Sequence, residues 1–182
     1  MAEKDKAFDV LLDYANRSVQ GARGLPAQVD IKPFWTGIGF SLAGHRLVAP
    51  MSEVAEMIVP PPATRLPGVQ PWVKGVSNVR GRLLPLIDLE SFFGGGVTSA
   101  SSRQNQRVLA LELGELYTGL LVNEVYGMKH FAVDCFSHEL PEGLEQMEPY
   151  LAGCYRQGDE LWTVFSPYKL TKDQRFMNAA AG

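Results

Sequence analysis

Residues 75–89 constrain the fold of this chain more than any other stretch of its sequence. Two apolar runs, at residues 73–76 and 83–89, flank a short polar link that contains Asn78, Arg80 and Gly81. An apolar run of four to eight residues bounded by turn residues is typical of a buried strand. Gly81 can adopt the positive φ angle of a tight turn at little steric cost. The stretch therefore predicts a β-hairpin.

Arg80 places a positive charge in the turn of this otherwise apolar hairpin. An unpaired charge that is buried among apolar residues costs free energy. The side chain must therefore either reach water or contact a carboxylate.

The length and composition suit one domain or two small subdomains. Of 182 residues, 46% are hydrophobic and 20% are charged, an ordinary balance for a globular protein. The net charge of −3 argues against non-specific binding to nucleic acid. The sequence shows neither an apolar run long enough to span a membrane nor a signal peptide. Cys135 and Cys154 form no C-x-x-C pattern, which suits a reducing compartment, so we expect a cytoplasmic protein without direct membrane insertion.

The N-terminal part predicts a helix followed by a linker. Apolar residues between positions 4 and 19 recur at the spacing of an amphipathic helix. This helix either docks on its own domain or serves as a partner-binding arm, and the pattern leaves both interpretations open. Residues 20–33 are predicted to form a linker, and residues 94–102, rich in Gly and Ser, a second one.

The second half of the chain repeats the first. After a predicted hairpin over residues 108–122, segment 123–128 matches segment 52–57 at Glu, Val and Met, and segment 149–153 resembles segment 71–75. The pattern predicts two copies of one small β subdomain, each only marginally stable by itself. Short strands with glycine turns favour barrels, because closure removes exposed sheet edges. The two copies are expected to share a hydrophobic seam built from Phe40, Val76, Leu84, Leu86, Leu111 and Val164.

The central stretch resembles the CheW-like family of chemotaxis coupling proteins. The most specific motif of that family has the form G-V-x-N-x-R-G-x-x-x-P-x-x-D-L. The chain matches it at Gly75, Val76, Asn78, Arg80, Gly81, Pro85, Asp88 and Leu89.

The resemblance implies a mainly β fold, with two SH3-like five-stranded β-barrel subdomains packed side by side after an N-terminal helix. The expected organisation is an N-terminal helix and linker at residues 1–33, a CheW-like domain at 34–176 and a tail at 177–182. The first barrel is expected at about 34–93 and the second at about 107–170.

The resemblance also implies a function. CheW-like coupling proteins are non-enzymatic adaptors that link the cytoplasmic tip of a methyl-accepting chemoreceptor to the regulatory CheW-like domain of a CheA-type histidine kinase. The N-terminal extension and the sequences at residues 71–75 and 82–85 resemble those of the type IV pilus (twitching motility, PilI-like) branch. The implied location is the cytoplasm, with recruitment to receptor arrays at the inner membrane. No catalytic residue, cofactor or metal is expected.

The family motif also indicates which residues contact a partner. In the family an acidic residue, here Glu56, faces the arginine of the motif, here Arg80. Such a charge-assisted pair would fix the hairpin against the preceding strand, and whether Arg80 is structural or presents a surface to a partner stays open. The residues expected at a partner-binding surface are Glu56, Val76, Asn78, Arg80, Gly81 and Arg82, and those expected to be structural are Gly75, Pro85, Asp88 and Leu89. The family usually has aspartates near Asn123 and Ser166, and this chain lacks both.

The main alternative is a β-barrel module that binds nucleic acid or a small ligand. It would use Lys74, Arg80 and Arg82, with Trp72 as a stacking platform, but the chain has no wider basic stripe. No nucleotide-binding loop or nucleophile motif is present. One cluster has the donor types of a metal site, at a spacing that fits no standard site: His130, Asp134, Cys135 and His138.

Overall fold

The computed structural model describes residues 10–17, 33–95 and 104–180. The chain divides into an N-terminal unit, residues 1–31, and a main unit, residues 32–182. Helix α1 occupies residues 10–17 of the first unit, which confirms the N-terminal helix, and Asp13 and Arg17 form an ion pair of 2.9 Å one turn apart on it. The two predicted linkers lie almost entirely outside the described residues.

The described part of the main unit is mostly β-strand, as predicted. Three short helices also occur, α2 (Leu89–Phe92), α3 (Pro167–Leu170) and α4 (Gln174–Met177), with 3-10 turns at Met51–Glu53, Val133–Cys135 and Glu148–Tyr150. The strands are β1 (Phe34–Leu42), β2 (His45–Pro50), β3 (Glu56–Ile58), β4 (Val73–Val79), β5 (Arg82–Asp88), β6 (Arg107–Leu113), β7 (Leu116–Val122), β8 (Glu124–Ala132), β9 (Phe136–Ser137), β10 (Leu151–Gln157) and β11 (Glu160–Phe165).

These strands form two sheets, and each sheet combines strands from both halves of the chain. One sheet has the order β8-β1-β2-β11-β10-β9 and the other β3-β6-β7-β5-β4. Pairing is antiparallel except where β2 meets β11 and β5 meets β7. The expected barrels at 34–93 and 107–170 therefore do not coincide with the sheets. The reason is that the chain crosses to the other sheet after each first hairpin, β1–β2 and β6–β7.

The internal repeat is visible in equivalent details of the two sheets. Hairpins β4–β5 and β10–β11 each contain a register irregularity near the start, before Gly75 and before Gly153. Asp88 and Ser166 each end the second strand of their hairpin and cap the helix that follows. Each of the two hairpins therefore turns into its helix in the same way.

Gly75 and Gly153 occupy equivalent positions in the two copies of the repeat, and both positions require glycine. Their φ angles are 135° and 140°, a region that side chains disfavour. A Cβ atom on Gly75 would lie 2.2 Å from the carbonyl oxygen of Thr64, and one on Gly153 would lie 2.4 Å from that of Ser137. Each glycine thus lets an earlier segment cross closely over its strand.

Three hydrophobic clusters stabilise the described part of the main unit. The largest contains side chains of β1 and β2 together with side chains of β6 and β7, so it joins the two sheets. A second cluster, around Trp162, belongs to the six-stranded sheet, and a third, around Leu84, to the five-stranded sheet. Of the residues expected at the shared seam, Phe40 and Leu111 lie there. Leu84, Leu86 and Val164 lie instead in the smaller clusters, and Val76 is only half-buried.

The C-terminal segment packs against the start of hairpin β4–β5. Phe176 is buried and stacks on Trp72 with a ring-centroid distance of 6.1 Å. The Tyr150 hydroxyl donates a short hydrogen bond to Asp173, which caps α4. Trp72 directly precedes β4, so these contacts hold the start of that strand.

We expect Gly75→Ala to destabilise the protein by about 3 kcal/mol or more, since it combines backbone strain with a clash against the chain at Thr64. Gly81→Ala is the matched control: its φ is also positive, at 82°, but no atom lies within 4 Å of the added Cβ. It should cost only about 1–2 kcal/mol. Urea unfolding of both variants measures the difference, and equal losses would contradict the crossing as the cause.

Tyr150→Phe should change how stability depends on pH. Burial, and then the bond to Asp173, raises the pKa of Tyr150 to about 12. The folded protein thus holds this proton more tightly than the unfolded chain, whose tyrosine pKa is about 10. The stabilisation is complete below that pH and disappears as the pH rises through the folded pKa. Melting temperatures across this alkaline range should fall less steeply for the variant, and parallel curves would refute the assignment.

Candidate functional site

The turn between β4 and β5 is built by the motif residues. Val79 pairs with Arg82, which leaves Arg80 and Gly81 as a two-residue loop. Their φ angles are 52° and 82°, as in a type I′ turn, whose twist matches that of the flanking strands. The backbone N–H of Gly81 donates to Oδ1 of Asn78 at 2.9 Å. Asn78 and Gly81 thus form the turn, and Arg80 occupies its tip.

Arg80 forms the ion pair with Glu56 that the family resemblance implies. Its Nη2 lies 2.9 Å from Oε2 of Glu56, and the side chains are 79% and 22% exposed. Glu56 begins β3, and Arg80 follows β4; these strands are the two edges of the five-stranded sheet. The pair therefore ties the two edges together while most of the guanidinium faces water.

Arg82 has two partners that sequence reasoning missed. Its Nη1 donates to Oε1 of Glu112 at 3.0 Å, and its Cζ lies 3.9 Å from the ring centroid of Tyr117. Glu112 and Tyr117 are directly paired across hairpin β6–β7. The sequence offered one signal, namely that both residues lie two positions outside the predicted two-residue turn Gly114–Glu115. Nothing in it showed that this turn lies beside the motif.

These side chains surround one open groove of about 270 Å³. Strand β3, hairpin β4–β5 and hairpin β6–β7 all contribute to it. Of the residues predicted to bind a partner, Glu56, Arg80 and Arg82 line the groove, whereas Asn78 and Gly81 form the turn that carries Arg80. Val76 lies apart, where it pairs with Thr64. The lining consists of Ala55, Glu56, Val79, Arg80, Arg82, Glu112 and Tyr117.

The motif residues expected to be structural have internal contacts. The backbone carbonyl of Pro85 accepts a hydrogen bond of 3.2 Å from the Thr118 hydroxyl. Asp88 is buried, accepts from the backbone of Ser91 at 3.1 Å and pairs with Lys74 at 2.8 Å. Leu89 is fully buried in the largest cluster. Gly75 has the role described above.

The geometry weakens the alternative of a nucleic-acid module. Trp72 is buried and stacked on Phe176, so it offers no platform to a base, and Lys74 is engaged by Asp88. Among the described residues, no three His, Cys, Asp or Glu side chains are grouped as metal ligands. His130 instead contacts the Thr36 hydroxyl through Nδ1 at 2.9 Å. Within the same part of the chain, no helix is long and apolar enough to cross a bilayer.

Comparison with known proteins identifies the family of this chain. The family model of the CheW-like domain matches residues 36–175. The chain belongs to the CheW-like domain family. It is 43% identical to the protein PilI of Pseudomonas aeruginosa over 180 residues, which cover 99% of both chains. This similarity confirms the predicted resemblance to the PilI-like branch.

More distant CheW-like proteins match over most of their length. The chemotaxis protein CheW of Helicobacter pylori is 26% identical over 165 residues, which cover 89% of this chain and 96% of that protein. The crystal structure of the scaffolding protein TtCheW from Thermoanaerobacter tengcongensis superposes with a TM-score of 0.61 at 23% identity. That match covers 72% of this chain and 88% of TtCheW. It confirms the predicted CheW-like fold.

Proposed function

We propose that this chain is a non-enzymatic adaptor that couples the cytoplasmic tip of methyl-accepting chemoreceptors to a CheA-type histidine kinase. The pathway would be the chemosensory system of type IV pilus motility. Membership of the CheW-like family and the full-length similarity to PilI support this proposal. The adaptor would act in the cytoplasm, at receptor arrays on the inner membrane.

The observation that carries the proposal is the conformation of Arg80. A residue with a side chain is strained at positive φ, whereas glycine is not. Among the described residues other than glycine, only Ala43 and Arg80 have a positive φ. The ion pair to Glu56 is largely exposed on the arginine side and is worth only about 0–1 kcal/mol. Stability alone therefore explains this arginine poorly, and strained exposed residues are typical of functional sites.

An adaptor needs two different binding faces, and a difference in charge between the tips of hairpins β4–β5 and β10–β11 supports this proposal. In hairpin β10–β11, Gln157 pairs with Glu160, so Gly158 and Asp159 occupy the positions equivalent to Arg80 and Gly81. The tip of one hairpin thus carries arginines, whereas the tip of the other carries acidic residues. Such charge differences set the choice of partner, while apolar contacts supply most of the affinity.

Arg80→Ala should leave a folded protein that binds the regulatory domain of the kinase at least about tenfold more weakly. Arg80→Gly sharpens this test, because glycine suits the turn and removes only the side chain. It should melt close to the wild type and lose binding equally. Ala43→Gly relieves the other positive φ and is the matched control, with binding unchanged. Calorimetric titration measures the binding of each variant, and thermal melting measures its stability. Normal binding by folded Arg80→Gly would assign Arg80 to the fold alone.

The adaptor should bind receptor and kinase at the same time. We expect a receptor-tip fragment, titrated into a preformed complex of this protein with the kinase regulatory domain, to add to the complex without releasing the kinase. Analytical ultracentrifugation would show a ternary species. Strict displacement of one partner by the other would refute the coupling mechanism, however tight each binary complex is.

A further inference from the structure

We infer that a cavity between the β1–β2 turn, helix α2 and residues 143–147 binds a small organic amine, a molecule with one ammonium group on a short apolar chain. The cavity has a volume of about 300 Å³, at the lower end of the range of ligand pockets in proteins. Among the described residues, it shares no lining residue with the groove at Arg80. The inference goes beyond the proposed adaptor function and does not depend on it.

The ionisable groups of the cavity favour a positively charged ligand. Two carboxylates line it, that of Glu90 on α2 and that of Glu145 on the loop before β10, together with the ring of His45. No Lys or Arg is among the described residues of this lining. Two carboxylates against at most one imidazolium leave the lining negative whether His45 is neutral or protonated. The cavity therefore attracts a cation in both states of the histidine.

The carboxylate of Glu145 is held by the backbone of its own loop. The N–H of Gly143 donates to Oε1 of Glu145 at 3.1 Å. Hydrogen bonds from the backbone of Glu145 itself and of Gly143 lower the pKa of the Glu145 carboxyl, because N–H donors stabilise the charged form. Glu145 is therefore ionised at neutral pH, with its carboxylate already in place.

Asn123 holds the carboxylate of Glu90 at the cavity. Its Nδ2 donates to Oε2 of Glu90 at 2.9 Å, and its Oδ1 accepts from the backbone N–H of Ala43 at 3.0 Å. The CheW-like family usually has an aspartate near this position. An ionised aspartate could accept from Ala43, but it has no donor and would repel Glu90. The asparagine, a departure from the family pattern, thus allows a carboxylate at this place.

The rest of the lining favours an organic cation over a metal ion. Among the described residues, no three His, Cys, Asp or Glu side chains are grouped closely enough to hold a metal. A larger cation can instead place its ammonium group against the carboxylates and cover the apolar part of the lining with its hydrocarbon chain. This apolar part consists of the buried side chains of Leu42, Phe93, Leu144 and Met147.

The other sheet shows that the fold does not require a carboxylate here. Counted from the residues that cap α2 and α3, Tyr168 is the equivalent of Glu90. In the sequence repeat, Ser52 is the equivalent of Asn123. Neither residue brings a carboxylate to the corresponding place. The contact between Asn123 and Glu90 is therefore particular to this cavity.

Pentylamine is the probe for this site, with 1-pentanol and pentanoate as neutral and negative molecules of the same chain length. In the full-length protein, the NMR signals of the backbone N–H groups of Ala43 and Gly143 report binding. Glu90→Gln and Glu145→Gln each remove one negative charge and keep a hydrogen-bond acceptor. Glu142→Gln is the matched control, because Glu142 is exposed on the same loop but does not line the cavity.

We expect pentylamine to shift both signals to saturation, 1-pentanol to bind about tenfold more weakly, and pentanoate to leave the signals in place. Glu90→Gln and Glu145→Gln should each weaken pentylamine binding about fivefold or more, and Glu142→Gln less than about twofold. Thermal melting should show all three variants folded, within a few degrees of the wild type. Absence of a pentylamine shift, equal binding of 1-pentanol, or unchanged binding by both cavity variants would overturn the inference.

Discussion

Packing between the two central hairpins, β1–β2 and β6–β7, is the interaction on which the rest of the structure depends. Their apolar side chains form the largest hydrophobic cluster, and each fully buried large side chain in it contributes about 1.5–3 kcal/mol. Each hairpin then pairs at its edges with strands from the other half of the chain. Neither half can bury its own strands without the other, because the strands that complete each sheet are exchanged. The two sheets therefore form together.

This interlocking also supports the turn between β4 and β5. Strand β5, which carries Arg82 and follows the turn, pairs in parallel with β7 of the second half. The C-terminal segment packs on Trp72, just before β4, and the side chain of Asn78 accepts a hydrogen bond within the turn itself. A turn supported at both ends can hold an arginine at positive φ. Backbone strain at Arg80 is thus balanced by packing elsewhere in the structure.

Opposite charges are arranged differently at the tips of hairpins β4–β5 and β10–β11. At the first tip, Arg80 and Arg82 form ion pairs with carboxylates from neighbouring strands. At the second, Glu160 forms an ion pair with Arg46 beside the buried Trp162. Exposed ion pairs of this kind add little stability. Their main physical effect is to hold long side chains in defined directions, which suits a protein that works by contact with others.

The sequence by itself determined the local elements of this protein. The hairpin at residues 73–89, the N-terminal helix and the repeat all followed from patterns of neighbouring residues, because turn chemistry and periodicity act over short distances. The resemblance to the family also predicted the ion pair between Glu56 and Arg80. Only the tertiary structure decided which strands share a sheet, because the crossing after β2 and after β7 leaves no mark in local patterns. For the same reason it alone placed Glu112 and Tyr117 beside Arg82: two segments about thirty residues apart become neighbours through the parallel pairing of β5 with β7.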